Sequence, residues 1–522
     1  MGDTVVDLFS GWADERPDDV VVAERQGLRR TLTIGALVAG TDALAAGLAR
    51  AGAGPERPIV CWLPNRLEWV PLYLAAARIG APVIGLNTRY RADELRHVLT
   101  RSDAAVLVGV DEFAGVRYAP IAAAAGPATL STVVVVGGDP TWSSLGLPVV
   151  PWDDLPVPGA VPAHSPSGDD LIIAFTTSGT TGMPKLAVHD QAGVVVHAHD
   201  DARVFDVRPG DRMLLDVPLC GTFGFSSLLA AVGGRATTLL DERFEPDDTA
   251  RAIADEGVTH YNASDDMLLR ILDTGRVQRG AHRLREVGFA NFTNAALQAA
   301  TAVDAVGVSI SGSYGMSEVF AILTRWPVTM SVAERARAGG VPVGAATELR
   351  VIDPETGTEL AEGEEGELCL RGPTVLRRYL GDPAATSRAL ADDGWFRTGD
   401  LCRLTGDGGL EFLARLGDSL RLRGFLVAPA EIEARLELHP AVQLAQVVGV
   451  ERPGEGQVAV AFVRLSDPVD EADLQTHCAA GIAKFKVPVR IVAVDEFPVV
   501  DGPNGVKIRK VELRDRAAEL LG

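Results

Sequence analysis

The densest chemistry in the chain lies in the ten residues Thr176-Thr-Ser-Gly-Thr-Thr-Gly-Met-Pro-Lys185, which follow directly on the unbroken apolar run 171–175. Two glycines permit close backbone approach, and five hydroxyls together with the loop N–H groups can surround phosphate oxygens. Lys185 closes the loop with a compact point charge. The spacing G-x-x-G-x-x-K, with Pro184 before the lysine, differs from that of a Walker loop. A solvated Ser/Thr/Gly turn is the plain alternative. Against it stands the scarcity of lysine: the chain has 44 arginines and only five lysines, Lys185, Lys484, Lys486, Lys507 and Lys510. Where arginine has replaced lysine almost everywhere, the remaining lysines point to places where a planar guanidinium cannot stand in for an ammonium.

The elements that must position this loop read as a layered α/β protein. A length of 522 residues predicts about three domains, or one large domain with an appendage. A formal net charge of −21 argues against a nucleic-acid partner and against docking on an anionic membrane. Cys61, Cys220, Cys369, Cys402 and Cys478 are scattered without CxxC spacing, which suggests neither a zinc knuckle nor a disulfide framework and fits a reducing cytoplasm. The start, Met-Gly-Asp-Thr, has an early acid and no cationic segment, so no signal peptide is expected. The charge-free stretch 118–138 reads as helix, turn and strand rather than a membrane span. Helices are predicted over 72–79 and 91–100, and strands over 82–86, 133–136 and 171–175. Asp353-Pro-Glu-Thr-Gly357 carries turn chemistry between two β-rich stretches. Near residue 417 the texture changes, and Pro429 opens a helix on which Glu431 and Arg435 stand at i,i+4.

The loop at 176–185 resembles the phosphate-binding signature of the adenylate-forming superfamily: acyl- and aryl-CoA synthetases, stand-alone adenylation domains and luciferases. Further stretches match in the family's order: Tyr314-Gly-Met-Ser-Glu318, Gly366-Glu-Leu-Cys-Leu-Arg-Gly-Pro373, Gly394-Trp-Phe-Arg-Thr-Gly-Asp400, Lys484-Phe-Lys-Val-Pro488 and Lys507-Ile-Arg-Lys510. The resemblance implies a large layered N-terminal domain over 1–417, with mixed sheets, helices and a small β-barrel-like part. It implies a small mobile α+β domain over 418–522, hinged near Asp418. It further implies that Thr177, Ser178, Gly179, Thr180, Thr181, Gly182 and Lys185 hold phosphates, that Tyr314 stacks on adenine, and that Ser317 contacts the α-phosphate. Glu318 would hold Mg²⁺, a cation that prefers hard oxygen ligands. Asp400 and Arg415 would meet the ribose, and Lys507 would bridge the carboxylate and the α-phosphate during adenylation. Lys510 and Arg514 read as a solvated face.

The implied reaction is ATP-dependent activation of a carboxylate to an acyl- or aryl-adenylate with release of pyrophosphate, followed by a thioester with CoA. Departures from the family pattern bear on the substrate. Pro218-Leu-Cys-Gly-Thr-Phe-Gly224 has Cys220-Gly221 where an aromatic-His pair is usual, which makes room beside the reacting carboxylate; Cys220 reads as a small buried thiol rather than a nucleophile. Gly221, Phe223, Phe289, Asn291, Ser313 and His197 are candidate pocket residues, although His197 and His199 read first as structural histidines. Extra polar groups favour a functionalised or aromatic acid over a plain alkyl chain. Arg423 stands where many relatives have glycine near the thiol tunnel. Other readings are a stand-alone adenylation enzyme loading a carrier protein, an ATP-dependent diazotase that activates nitrous acid toward an aromatic amine, and a non-catalytic nucleotide-binding regulator. Either a monomer or a homodimer suits this organisation.

Overall fold

The structure is a computed structural model of the chain, and it describes all residues except 1, 127, 139, 161, 178–182, 292–294, 423–424, 453–455, 483, 503–504 and 522. Of the sequence expectations, those for Ser178, Gly179, Thr180, Thr181, Gly182 and Arg423 lie outside the described residues. The apolar runs become strands buried on both faces. Ile59–Trp62, Val83–Gly85, Val106–Gly109 and Thr132–Val135 pair in parallel inside an eight-stranded sheet. Leu171–Thr176 joins its parallel part beside Val83–Gly85 and turns back, antiparallel, into Leu186–Asp190. The predicted helices are the cores of Trp69–Arg78 and Ala92–Ser102.

A second sheet has thirteen strands. One half is parallel and contains Arg212–Leu215, His260–Ser264, Glu286–Ala290 and Ser309–Tyr314. Beyond Tyr314 the sheet turns antiparallel through Thr324–Arg325 and Gly339–Pro342 to Leu410–Arg415, Phe396–Leu404 and Glu365–Arg371. The turn chemistry at Asp353 links Glu348–Ile352 to Glu365–Arg371 as neighbouring antiparallel strands.

Two helices, Gln191–Val204 and Thr222–Gly233, contribute to the cores of both sheets. Every residue from Thr222 through Val232 is buried, as expected for a helix covered all round. The two helices touch backbone to backbone: a Cβ on Gly233 would stand 2.2 Å from the Ala198 carbonyl oxygen, so only glycine fits.

Apart from the two large sheets, Val499–Gly502 and Gly505–Ile508 form a two-stranded hairpin, and the other strands from Leu420 onward form a five-stranded sheet. Its long hairpin Val442–Arg452/Gly456–Leu465 is covered by the helices Pro429–Glu437, Glu471–Ala479 and Lys510–Leu521. Three surface expectations change here. Glu431 does not pair with Arg435 but with Lys486, at 2.6 Å, while Arg435 donates to the His477 carbonyl. Lys510 is not simply solvated: it lies 3.3 Å from the buried Glu433, which itself accepts from the Val447 amide. Arg514, on the last helix, pairs with Asp418. Asp418 in turn sits in a turn closed by its own N–H and that of Ser419 on the Arg415 carbonyl. Among the described residues no helix is long and apolar enough to cross a membrane.

The Arg514–Asp418 pair is about one-third exposed on each side, and such a pair contributes about 0.5–1 kcal/mol. Arg514→Gln should therefore raise amide hydrogen exchange across 415–420 about two- to fivefold, with the strand Val442–Arg452 unchanged. Unchanged exchange in the 415–420 turn would show that the pair does not hold it.

Candidate active site

The last parallel strand, Ser309–Tyr314, and the antiparallel strand Phe396–Leu404 are separated by three strands in the sheet order, yet their side chains meet. The Tyr314 hydroxyl donates to Asp400 Oδ2 at 2.6 Å, inside the protein. The Tyr314 ring stacks on Phe412 with centroids 5.5 Å apart and planes 25° apart. Asp400 faces Arg415 across the strand pair, and Arg415 Nε lies 3.0 Å from Oδ1. That contact lacks hydrogen-bond alignment, so Oδ1 is charge-compensated but keeps its capacity to accept. Burial pushes the Asp400 carboxyl up to about 6, opposed by Arg415 and by the Tyr314 hydrogen bond. The same burial, with the carboxylate beside it, holds the Tyr314 phenol well above its usual range.

From Tyr314 the chain makes a tight turn into Ser317–Val319. A Cβ on Gly315 would stand 1.4 Å from the Ala321 carbonyl oxygen, so no other residue fits, and Phe320 closes the turn at φ 62°. The turn aims two oxygen-bearing side chains. Ser317 Oγ lies 2.9 Å from Thr222 Oγ1, at the start of the buried helix. The Ser317 carbonyl accepts from His189 Nε2 at 2.8 Å, and burial lowers that imidazole to about 4, so the ring is neutral with its proton on Nε2. Glu318 Oε1 accepts from the Tyr379 hydroxyl at 2.9 Å. The face of the same tyrosine lies 4.5 Å from Lys185 Nζ. Lys185 also closes the base of its loop, its carbonyl accepting from the buried Thr177 amide. Lys185, Tyr379, Glu318, Ser317 and Thr222 are thus linked by contacts, with Tyr314, Asp400 and Arg415 joined by their own contacts at the head of the same turn. Among the described residues no three His, Cys, Asp or Glu side chains gather as a metal cluster.

The pocket candidates divide. Cys220 is buried, and burial pushes its thiol up to about 12, so it is uncharged. Its turn is pinned by Asn65, whose Oδ1 accepts from the Leu219 amide at 2.7 Å, and Gly221 is the N-cap of the buried helix. Phe223 lies on that helix, and His197 is hydrogen-bonded to its Ser226. Ser313 carries a buried hydroxyl without a hydrogen-bond partner. Phe289 is packed in the core of the parallel sheet and Asn291 is exposed, so these two do not join the others. Lys507 lies on the second strand of the hairpin Val499–Gly502/Gly505–Ile508 in the small C-terminal part. Tyr379, Thr222, Phe412 and His189 were not singled out from sequence. Thr222 lies within the quoted stretch 218–224 and the other three lie in no quoted motif, and only their contacts in three dimensions reveal them.

Residues 9–380 match the AMP-binding enzyme family, and residues 431–500 match the AMP-binding enzyme C-terminal domain. A putative acyl-CoA synthetase, YngI of Bacillus subtilis (strain 168), is 30% identical over 563 aligned positions, covering 99% of this chain and 98% of its own. The 4-coumarate–CoA ligase 5 of Oryza sativa subsp. japonica is 27% identical, covering 98% and 94%. The crystal structure of ATP-bound MatB from Rhodopseudomonas palustris superposes with a TM-score of 0.83 at 25% identity, over 99% of this chain and 100% of that one. With family models matched over residues 9–380 and 431–500 and the fold shared over 99% of the chain, this chain belongs to the AMP-binding, adenylate-forming enzyme family.

Proposed function

We propose that the protein is an acyl- or aryl-CoA synthetase: it activates a small carboxylic acid with ATP and passes the acyl group to CoA. The observation that carries this reading is the Tyr314–Asp400–Arg415 group at the head of the Ser317–Glu318 turn. Asp400 Oδ1 is a buried acceptor with no hydrogen bond, suited to a ribose hydroxyl, and the Tyr314 ring offers a flat face to adenine. Ser317 and Thr222 offer hydroxyls to the α-phosphate. Lys185, with the loop it ends, takes the departing phosphates.

In the first step a carboxylate oxygen attacks the α-phosphorus in line, the bond to the β-phosphate oxygen breaks, and pyrophosphate leaves. Negative charge shifts among phosphate oxygens, and the fixed donors around them stabilise it without reorganising. Lys507 supplies the positive charge between carboxylate and α-phosphate. The Glu318 carboxylate, held in rotation by Tyr379, and the Ser317 hydroxyl are hard oxygen donors that fit Mg²⁺, which when bound neutralises phosphate charge. In the second step the CoA sulfur attacks the acyl carbon, AMP departs, and the thiol proton goes to solvent. One site performing two steps calls for movement of residues 418–522 about Asp418, whose side chain Arg514 engages.

The reading is tested by AMP and pyrophosphate release across a panel of acids, with and without CoA, and separately with nitrite plus aromatic amines. AMP release with an acyl-CoA product is expected. AMP release with a diazo product and no thioester would overturn it.

Asp400 makes nucleoside binding depend on pH. Its folded value of about 6 means that the accepting, ionised form is lost as pH falls through 6. Affinity for adenosine, whose own groups do not titrate in this range, should weaken by up to about tenfold per pH unit below that value and level off above it. Asp400→Asn should bind weakly and without that dependence. A flat profile for the unmodified protein would remove Asp400 from the nucleoside site.

A further inference from the structure

The helix Ala92–Ser102 lies outside the site described so far, yet it grips that site at two points. Leu95, Val98 and Leu99 sink one face of the helix into the core around the eight-stranded sheet, which makes it a rigid support. His97 and Arg101 stand at i,i+4 and so share another face. His97 Nε2 lies 2.9 Å from the Pro184 carbonyl oxygen. A carbonyl can only accept, so this ring nitrogen carries a proton and donates it. Arg101 Nη1 donates to the Gly381 carbonyl at 2.9 Å and lies 3.3 Å from Asp382 Oδ2. The backbones meet there as well: Gly381 has φ 66°, and a Cβ on it would stand 2.0 Å from the Arg101 carbonyl oxygen.

These anchor points flank the pair that links the phosphate loop to Glu318. Pro184 immediately precedes Lys185, and Gly381 follows Tyr379 by two residues, while Lys185 Nζ lies 4.5 Å from the Tyr379 ring centre. The direction in which the Lys185 side chain leaves the backbone is set by the peptide planes on either side of it. The plane after it is fixed because the Lys185 carbonyl accepts from the Thr177 amide at 2.9 Å. The plane before it contains the Pro184 carbonyl, and His97 holds that carbonyl. The proline ring fixes φ at 184, so rotation about ψ is the one soft freedom left there. The His97 hydrogen bond removes it.

Resting on the adenylation reading above, we propose that His97 is a positioning residue for that reaction, acting through Lys185. It ties the Pro184–Lys185 peptide to a rigid helix, so that the ammonium meets the departing phosphates at a fixed distance from Tyr379 and Glu318. Arg101 holds the same helix to the segment that follows Tyr379, and the two sides of the Lys185–Tyr379 contact thereby share one support.

The test compares affinities for ATP with Mg²⁺ and for adenosine, at a pH well above 6 where Asp400 stays ionised. Adenosine has no phosphate for Lys185 to meet, so the two ligands separate a positioning effect from a general loss of structure. His97→Ala should weaken ATP binding about three- to tenfold, the worth of one hydrogen bond, and leave adenosine within about twofold. His97→Gln, whose amide N–H reaches about as far as the Nε2–H, should bring ATP affinity back to within about twofold of the unmodified protein. In a Lys185→Met background, His97→Ala should cost less than about twofold more. Unchanged ATP affinity in His97→Ala, equal losses for ATP and adenosine, or no recovery in His97→Gln overturns the inference. A full loss that persists in the Lys185→Met background overturns the route through Lys185. If His97→Ala does not fold, as absent adenosine binding would show, His97→Leu fills the same space without a donor and is read in the same way. An unmodified protein that binds no ATP overturns the adenylation reading itself, and the inference with it.

Discussion

The Tyr314–Asp400 hydrogen bond is the contact on which the site depends. It ties the end of the parallel sheet to the antiparallel strands that continue it. Taking a carboxylate out of water costs several kcal/mol unless it is paired and hydrogen-bonded. Tyr314 meets that cost at Oδ2 and Arg415 at Oδ1, and Oδ1 keeps its capacity to accept a hydrogen bond. With Tyr314 held, the turn that follows has little freedom. Gly315 passes so close to Ala321 that the chain must reverse there, and Ser317 and Glu318 emerge with fixed directions toward Thr222 and Tyr379.

The charge distribution separates two roles. The net charge of −21 describes the chain as a whole. Inside, each buried acid near the site has its own partner: Asp400 has Arg415, Asp190 has Arg377, and Asp201 has Ser226 and His197. Lysine scarcity proves a mixed guide. Lys185 lies against the Tyr379 ring at the base of the loop that first drew attention, but Lys486 and Lys510 hold glutamates within the small C-terminal unit. An ammonium with a carboxylate partner on the same unit is reason enough for those two lysines.

What was legible in the sequence follows from which interactions are local. The apolar runs at 133–136 and 171–175 announce buried strands because a strand covered on both faces has no polar side to show. The ordered motifs reveal the family because each is a short stretch whose backbone must adopt one shape. Gly315 within Tyr314-Gly-Met-Ser-Glu318 is the clearest case, since any side chain there would strike Ala321. Tyr379, Thr222 and Phe412 were not legible, because their importance lies in what folding brings against them from more than sixty positions away. Arg514 and Lys510 looked like a solvated face for the same reason: the helix pattern shows the spacing of charges but not Asp418 and Glu433 on neighbouring elements. Glu431 and Arg435 show the converse error, an i,i+4 pair allowed by spacing and displaced by better partners in space.

A double-mutant cycle on ATP affinity tests the central claim most directly, using Tyr314→Phe, Asp400→Asn and the two together. If the hydroxyl and the carboxylate act as one seat for the nucleoside, each single variant weakens binding. The double variant then loses about tenfold less than the product of the two single losses, the signature of a hydrogen bond to a charged group. Strictly multiplicative losses would show that the two residues act independently and would contradict the account.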